Sequence, residues 1–168
     1  MTAKTDLPYR PCVGVMLLNR HGRIFVGRRA ERAGAPEGEG HWWQMPQGGL
    51  DEGEDPERAA RRELEEETGV TRALFLRRAE HWYSYDLPSG LLGVAWEGRY
   101  RGQTQLWFAA RFDGDDAEID LAGSPGHDPE FDAWRWVAAE ELPRLVVPFK
   151  REVYAAVLRE FAPLLPAA

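Results

Sequence analysis

The chain holds a single cysteine, Cys12, which excludes an internal disulfide and any multi-cysteine zinc site and leaves Cys12 as a small strand residue. Basic charge is short as well. Against 28 acids stand 21 basic residues, only Lys4 and Lys150 of them lysines, for a net charge of −7. An extended nucleic-acid surface needs a basic face, so none is expected; a grip on one end of a strand needs only a few local cations and stays open. No run approaches the roughly 18 consecutive apolar residues of a membrane span, and Met1 to Arg10 has no apolar core to serve as a secretory signal. A soluble cytoplasmic protein with no membrane partner is the expectation. The histidines, His21, His41, His81 and His127, have no ligand spacing and receive no role. Internal repeats and coiled-coil heptads are missing too.

What remains is enough for one domain. The length of 168 residues and the 43% hydrophobic content predict a single unit over 1–168 with one ordinary core. Residues 12–18 and 23–28 flank Asn19-Arg20-His21-Gly22 and predict a hairpin. The small, charged, Gly-rich residues 30–41 predict a surface loop, and the following WWQMPQGGL a short strand ending in a turn. Asp55-Pro56 starts a helix and Gly69 stops one, which predicts a helix from Pro56 to Glu67. Residues 73–87, 103–113 and 131–138 predict strands. A closing helix is predicted over Phe149 to Leu165, with Val153, Ala156, Val157, Glu160 and Phe161 near helical spacing. This is an α/β or α+β order, a mixed sheet between helices.

Charge is concentrated in one place. Between Asp51 and Glu67 stand nine acids and three arginines. A solvated helix face is the ordinary reading of such a run. Spacing sets a second reading beside it: Glu63, Glu66 and Glu67 sit at i, i+3 and i+4, within one arc of the helix. Like charges so placed repel by a few tenths of a kcal/mol per pair, and a divalent cation is the natural compensation. All-oxygen ligands favour Mg²⁺ or Mn²⁺ over zinc. Arg62, just before the first glutamate, is able to orient a carboxylate through a bidentate contact.

Gly48, Glu54, Arg62, Glu63, Leu64, Glu66, Glu67, Gly69 and Val70 stand at every interval of the signature of the Nudix hydrolases, which this chain therefore resembles. Nine matched positions lie far beyond chance at about one in twenty per position. Tyr9-Arg10-Pro11, Trp43 to Gly49, Gly102 to Phe108, Pro129-Glu130-Phe131 and Trp134-Arg135-Trp136 are similar to the RNA pyrophosphohydrolase branch, whose pattern diadenosine polyphosphate hydrolases largely share. The likeness covers about Tyr9 to Phe161; the long Gly-rich stretch 31–40 and Pro148, where the branch often has Ser, depart from it.

The resemblance implies an α/β/α sandwich with a mixed sheet and the cleavage of a nucleoside diphosphate linked to another group. It assigns Glu63, Glu66 and Glu67 as ligands of two or more Mg²⁺ or Mn²⁺ ions, with the Gly48 carbonyl as a backbone ligand and Glu130 as a fourth carboxylate. Glu66, Glu67 or Glu130 serves as general base. Arg10, Arg29 and Lys150 are expected at substrate phosphates, Tyr85 at a phosphate through its hydroxyl, and a base between Phe149 and Val147; anchoring the last helix is the competing role for Phe149. Two substrates fit these residues: a 5′-triphosphorylated RNA end, converted to the monophosphate, or a dinucleoside polyphosphate such as diadenosine tetraphosphate, split to ATP and AMP. A noncatalytic nucleotide-binding module is the third reading, and the complete set of Arg62, Glu63, Glu66 and Glu67 argues against it. A monomer is favoured.

Overall fold

The computed structural model describes residues 6–30, 42–122, 126 and 128–166. Its frame is one mixed sheet of eight strands. At the centre β1 (Tyr9–Leu18) runs parallel to β7 (Gly102–Arg111), paired from Tyr9↔Gly102 to Leu18↔Arg111. The expected hairpin joins β1 to β2 (Ile24–Arg29): Asn19 Oδ1 accepts from the N–H groups of His21 (2.9 Å) and Arg23 (3.0 Å), and Gly22 takes φ 74°. The WWQMPQGGL segment forms two short strands, β3 (Trp43–Gln44) on β2 and β4 (Gln47–Gly49) antiparallel to β1. β8 (Phe131–Val137) lies antiparallel to β2 on its other side. The loop expected over 30–41 lies, but for residue 30, outside the described residues.

Helix α1 (Pro56–Thr68) forms as its end signals dictate. The Asp55 carboxylate accepts from the Arg58 N–H at 3.1 Å, Pro56 occupies the first turn, and Gly69 turns left-handed at φ 75° to end the helix. Its apolar side buries Ala59, Ala60 and Leu64.

Two expectations are corrected. The stretch 73–87 is two strands, β5 (Leu74–Arg78) and β6 (Tyr83–Asp86), laid end to end along β7. The Glu160 carboxylate holds the turn between them, accepting from the Glu80 N–H at 2.6 Å and from the Tyr83 hydroxyl. A four-residue helix α2 (Leu142–Leu145) precedes the closing helix, α3 (Arg151–Glu160), which is shorter than 149–165 and flanked by single 3₁₀ turns. Pro163, lacking an N–H for the Arg159 carbonyl, keeps the last of those turns out of the helix.

The helices cover opposite faces of the sheet. Tyr154 of α3 meets the Trp107 ring edge-on at 5.6 Å, and Trp107 lies flat across Gly14, where a Cβ would come within 2.6 Å of the indole. Phe108, one residue on and so on the other face, packs on Phe75, whose ring carries the Arg61 guanidinium of α1 at 4.1 Å. This is the expected sandwich. Among the described residues, no helix is long and apolar enough to cross a membrane.

Candidate active site

Strand β4 is the border on which the site is built. Its Gly48 lies against Glu63 of α1 so closely that a Cβ there would overlap the carboxyl group, so only glycine fits. The neighbouring Gln47 N–H donates to Glu67 Oε2 at 3.0 Å. Glu63 and Glu67 therefore turn inward; Glu66, on the same arc, has 40% of its side chain exposed.

Arg62 organises the mouth. Its Nε and one terminal nitrogen grip Glu54 bidentately at 3.0 and 2.9 Å, the same terminal nitrogen reaches the Gly49 carbonyl at 3.2 Å, and the other meets Glu63 Oε1 at 2.8 Å. Sequence reasoning gave Arg62 a bidentate carboxylate but did not choose Glu54, which stood in the matched pattern without a role. The hydrogen bonds from Arg62 hold the Glu54 carboxyl below its usual range. Tying loop to helix in this way fixes the distance from β4 to α1.

The inward carboxylates have the opposite electrostatics. Burial pushes Glu63 up to about 7, with Glu66 and Glu130 raising it further and Arg62 opposing. Glu67 is driven well above the usual carboxylate range by burial first, then by the charges of Glu130 and Glu63. Glu130 reaches this field from the loop before β8: the Ala30 N–H bonds its carbonyl at 3.0 Å, and its carboxylate stands 3.8 Å from an Arg29 nitrogen. Two buried carboxylates raised in this way, with Glu66 and Glu130 adding negative charge beside them, form an acceptor-only oxygen set short of positive charge, which suits a hard divalent cation. Among the described residues no three such groups yet converge on one point, because Glu63 is turned to Arg62 and Glu67 to the Gln47 N–H.

On the α3 face the other predicted residues gather. Arg10 lies across Gly49, donates to Cys12 Sγ at 3.4 Å, and has its guanidinium 5.9 Å from the Trp96 ring centre. The Tyr85 ring, almost wholly buried, packs on Phe149 at 5.5 Å, and the Lys150 ammonium, fully buried, stands 5.8 Å from it. The buried Cys12 thiol, pushed up to about 11 by desolvation, feels Arg10, Lys150 and Glu63 together, so the cationic and acidic halves adjoin. Val147 sits in the core at 5% exposure and offers little surface to a base, while Phe149 is half-buried against the core with Tyr85 on one side.

Two features escaped sequence reasoning. The residues between β6 and β7 return over Arg10 through a left-handed turn at Trp96 (φ 49°) and Glu97 (φ 60°), closed at its base by a bidentate Arg101–Asp86 pair at 2.9 and 3.0 Å. Backbone held in this way costs about 1–3 kcal/mol per residue. Gln103 stands in register between Arg10 and Tyr85, and Gln105 between Cys12 and Tyr83. The i, i+2 spacing of the two glutamines was the available signal, since it puts both on one face of a strand.

Comparison with known proteins agrees with this geometry. The NUDIX domain family pattern matches residues 8–157. The chain belongs to the NUDIX family. Among its Nudix relatives, an RNA pyrophosphohydrolase of Rhizobium meliloti (strain 1021) is 53% identical over 171 residues, covering 98% of this chain and 99% of the relative. The RNA pyrophosphohydrolase of Brucella abortus (strain 2308) is 53% identical over 163 residues, covering 96% and 92%. Solved Nudix-like structures share the fold at low identity. A MutT protein from Methanosarcina mazei Go1 aligns with TM-score 0.64 at 19% identity, covering 92% of this chain and 96% of its own. A C. elegans Ap4A hydrolase binary complex aligns with TM-score 0.63 at 18% identity, with the same coverage.

Proposed function

We propose that this chain is an RNA pyrophosphohydrolase: water attacks the 5′-triphosphate end of an RNA, a phosphoric anhydride bond breaks, and pyrophosphate leaves a 5′-monophosphate. The supporting observation is the meeting, across β4, of a buried carboxylate set with a small cationic, aromatic-lined face. The 53% identity to RNA pyrophosphohydrolases over nearly the full length of both chains selects this substrate among Nudix reactions. Glu63, Glu66, Glu67 and Glu130, with the Gly48 carbonyl, would hold two or more Mg²⁺ or Mn²⁺ ions. Bound there, such ions supply positive charge that offsets the carboxylates and the charge developing on the phosphoryl oxygens. Arg62 keeps α1 at its working distance from β4 by holding Glu54 and the Gly49 carbonyl. Glu66, Glu67 or Glu130 takes the proton of the attacking water. Arg10 and Arg29 bind the polyphosphate, the buried Lys150 adds its positive charge from within the wall, Tyr85 contributes its hydroxyl, and Phe149 stacks a base for roughly 1–3 kcal/mol. The enzyme works as a single-domain monomer in the cytoplasm.

The runner-up is hydrolysis of diadenosine tetraphosphate to ATP and AMP, favoured by the Tyr85–Phe149 aromatic pair. A side-by-side assay with Mg²⁺ separates the two. The expected result is a higher kcat/KM for a short triphosphorylated RNA, with a shallow salt dependence because only the end of the strand is gripped. A higher value for diadenosine tetraphosphate overturns the RNA reading.

A further inference from the structure

On the α3 face of β7 the side chains of Gln103, Gln105 and Trp107 follow one another, and their hydrogen bonds have only one consistent polarity. The Trp107 indole nitrogen lies 3.0 Å from Gln105 Oε1. An indole N–H donates and cannot accept, so the atom of Gln105 that faces it must be the carbonyl oxygen. The amide nitrogen of Gln105 then points the other way, and both its hydrogens are used, toward Gln47 Oε1 at 2.7 Å and Gln103 Oε1 at 2.8 Å. Because Gln47 and Gln103 each present an oxygen to Gln105, each directs its own NH₂ elsewhere. Among the described residues neither NH₂ finds an acceptor.

The two amides occupy telling positions. Gln103 lies in register between Arg10 and Tyr85. Gln47 adjoins Gly48, which cradles Glu63, and its own backbone N–H holds Glu67. The indole that starts the chain of bonds is fully buried and has no freedom to turn: it lies across Gly14, whose missing side chain makes the room, and Tyr154 closes on it edge-on. Gln105 is buried too, so the orientation is set from the core outward. A free glutamine amide turns either end to a ligand with nearly equal ease. Here the choice is made before any ligand arrives, and beside Arg10 and Lys150 it adds donors and no acceptors.

We propose that Trp107, acting through Gln105, is a positioning residue that locks Gln47 and Gln103 with their N–H groups toward the substrate, so that this face offers only donors to an ionised phosphate chain. The inference rests on the polyphosphate-cleaving function above, and it holds for a triphosphate end and a dinucleoside polyphosphate alike. Trp107→Phe removes the one unambiguous donor, and Gln105→Met cuts the relay without touching the indole; either leaves the outer amides free to turn. Each variant is expected to raise KM by roughly fivefold to tenfold with kcat within about twofold, the effect of weakening charge-assisted hydrogen bonds that bind ground and transition states equally.

The deciding experiment repeats these changes in the Gln47→Met, Gln103→Met background, with folding checked by circular dichroism. There the relay has nothing left to orient, so adding Trp107→Phe or Gln105→Met is expected to change KM by less than about twofold. If either change still raises KM there by its full original factor, or if neither single variant alters KM, these residues only pack the core and the proposal is wrong. Gln105→Met carries the test should Trp107→Phe fail to fold. Measuring KM on triphosphorylated RNA and on diadenosine tetraphosphate keeps the two readings apart: a wild-type preference for the dinucleotide removes the RNA assignment, whereas the background dependence judges the relay on either substrate.

Discussion

Replacing Glu63 by Gln is expected to stabilise the metal-free protein, and to do so only at neutral and alkaline pH. Glu63 is raised from an ordinary 4.5 to about 7, mainly by burial, and its side chain is only 14% exposed, so solvent screens it little. At 1.36 kcal/mol per pH unit, ionising it in the folded protein costs about 3 kcal/mol, with the attraction of Arg62 already included. Between about 4.5 and 7 the folded state binds more protons at this group than the unfolded chain. Stability therefore falls as pH rises through that window; the penalty is complete above about 7 and gone below about 4.5. Glutamine resembles the protonated acid, so Glu63→Gln recovers the cost wherever the wild type is ionised. In thermal melts with chelator at pH 8, the variant should gain about 3 kcal/mol, or roughly 6–12 °C in Tm for a chain of this size. At pH 4.5 the gain should vanish. Relief of Glu67, which feels the charge of Glu63, acts in the same direction. With saturating Mg²⁺ the wild type should gain more from the ion than the variant does. A gain of equal size at both pH values, or a loss at pH 8, would refute the account of Glu63 as a carboxylate held at electrostatic cost.

Glu66→Gln and Glu67→Gln should each lower kcat by about 10²-fold or more with circular dichroism unchanged, since each keeps volume and removes a ligand charge; near wild-type turnover at saturating Mg²⁺ removes that residue from the site. Glu130→Ala should cut the rate or the Mg²⁺ affinity while α1 stays folded, and an unchanged Mg²⁺ titration with unchanged rate makes Glu130 a loop acid paired with Arg29. Gly48→Ala puts a methyl group into the Glu63 carboxyl, so it should shift Glu63, weaken Mg²⁺ binding and lower Tm; a variant with wild-type Mg²⁺ affinity contradicts the close approach of β4 to α1.

The legible parts of this chain are those encoded locally. The helix Pro56–Thr68 is announced by Asp55, Pro56 and Gly69, and three of its carboxylates by helical spacing. The hairpin at Asn19 to Gly22 is announced by its turn residues. Features that depend on which distant segment lies alongside are silent in sequence. The division of 73–87 into two strands needs Glu160 of α3 to hold the turn, 77 positions from Tyr83. The burial of Val147 and Lys150 depends on how α3 seats on the sheet, and neither residue type foretells it. Aromatic, small and basic residues around 147–150 fit a surface pocket and a helix anchor equally well until the partner ring, Tyr85, is known.

The short strand β4 shows why a local motif needed a particular sheet to become a site. Its Gln47 N–H points to Glu67 and its Gln47 side chain to Gln105, so one residue touches the acidic helix through the backbone and the α3 face of the sheet through its amide. Its Gly48 lets Glu63 approach, and its Gly49 lies under Arg10 while its carbonyl accepts from Arg62. Three residues paired to Cys12, Val13 and Gly14 thus set the spacing between the cationic face around Arg10 and the carboxylates of α1. A one-residue slip of this pairing would bring a side chain where glycine is needed and turn Gln47 to the wrong face. The Gly-Gly pair is therefore a condition for bringing acids and cations close together, and Glu63 and Glu67 are placed by a strand that contains no acid of its own.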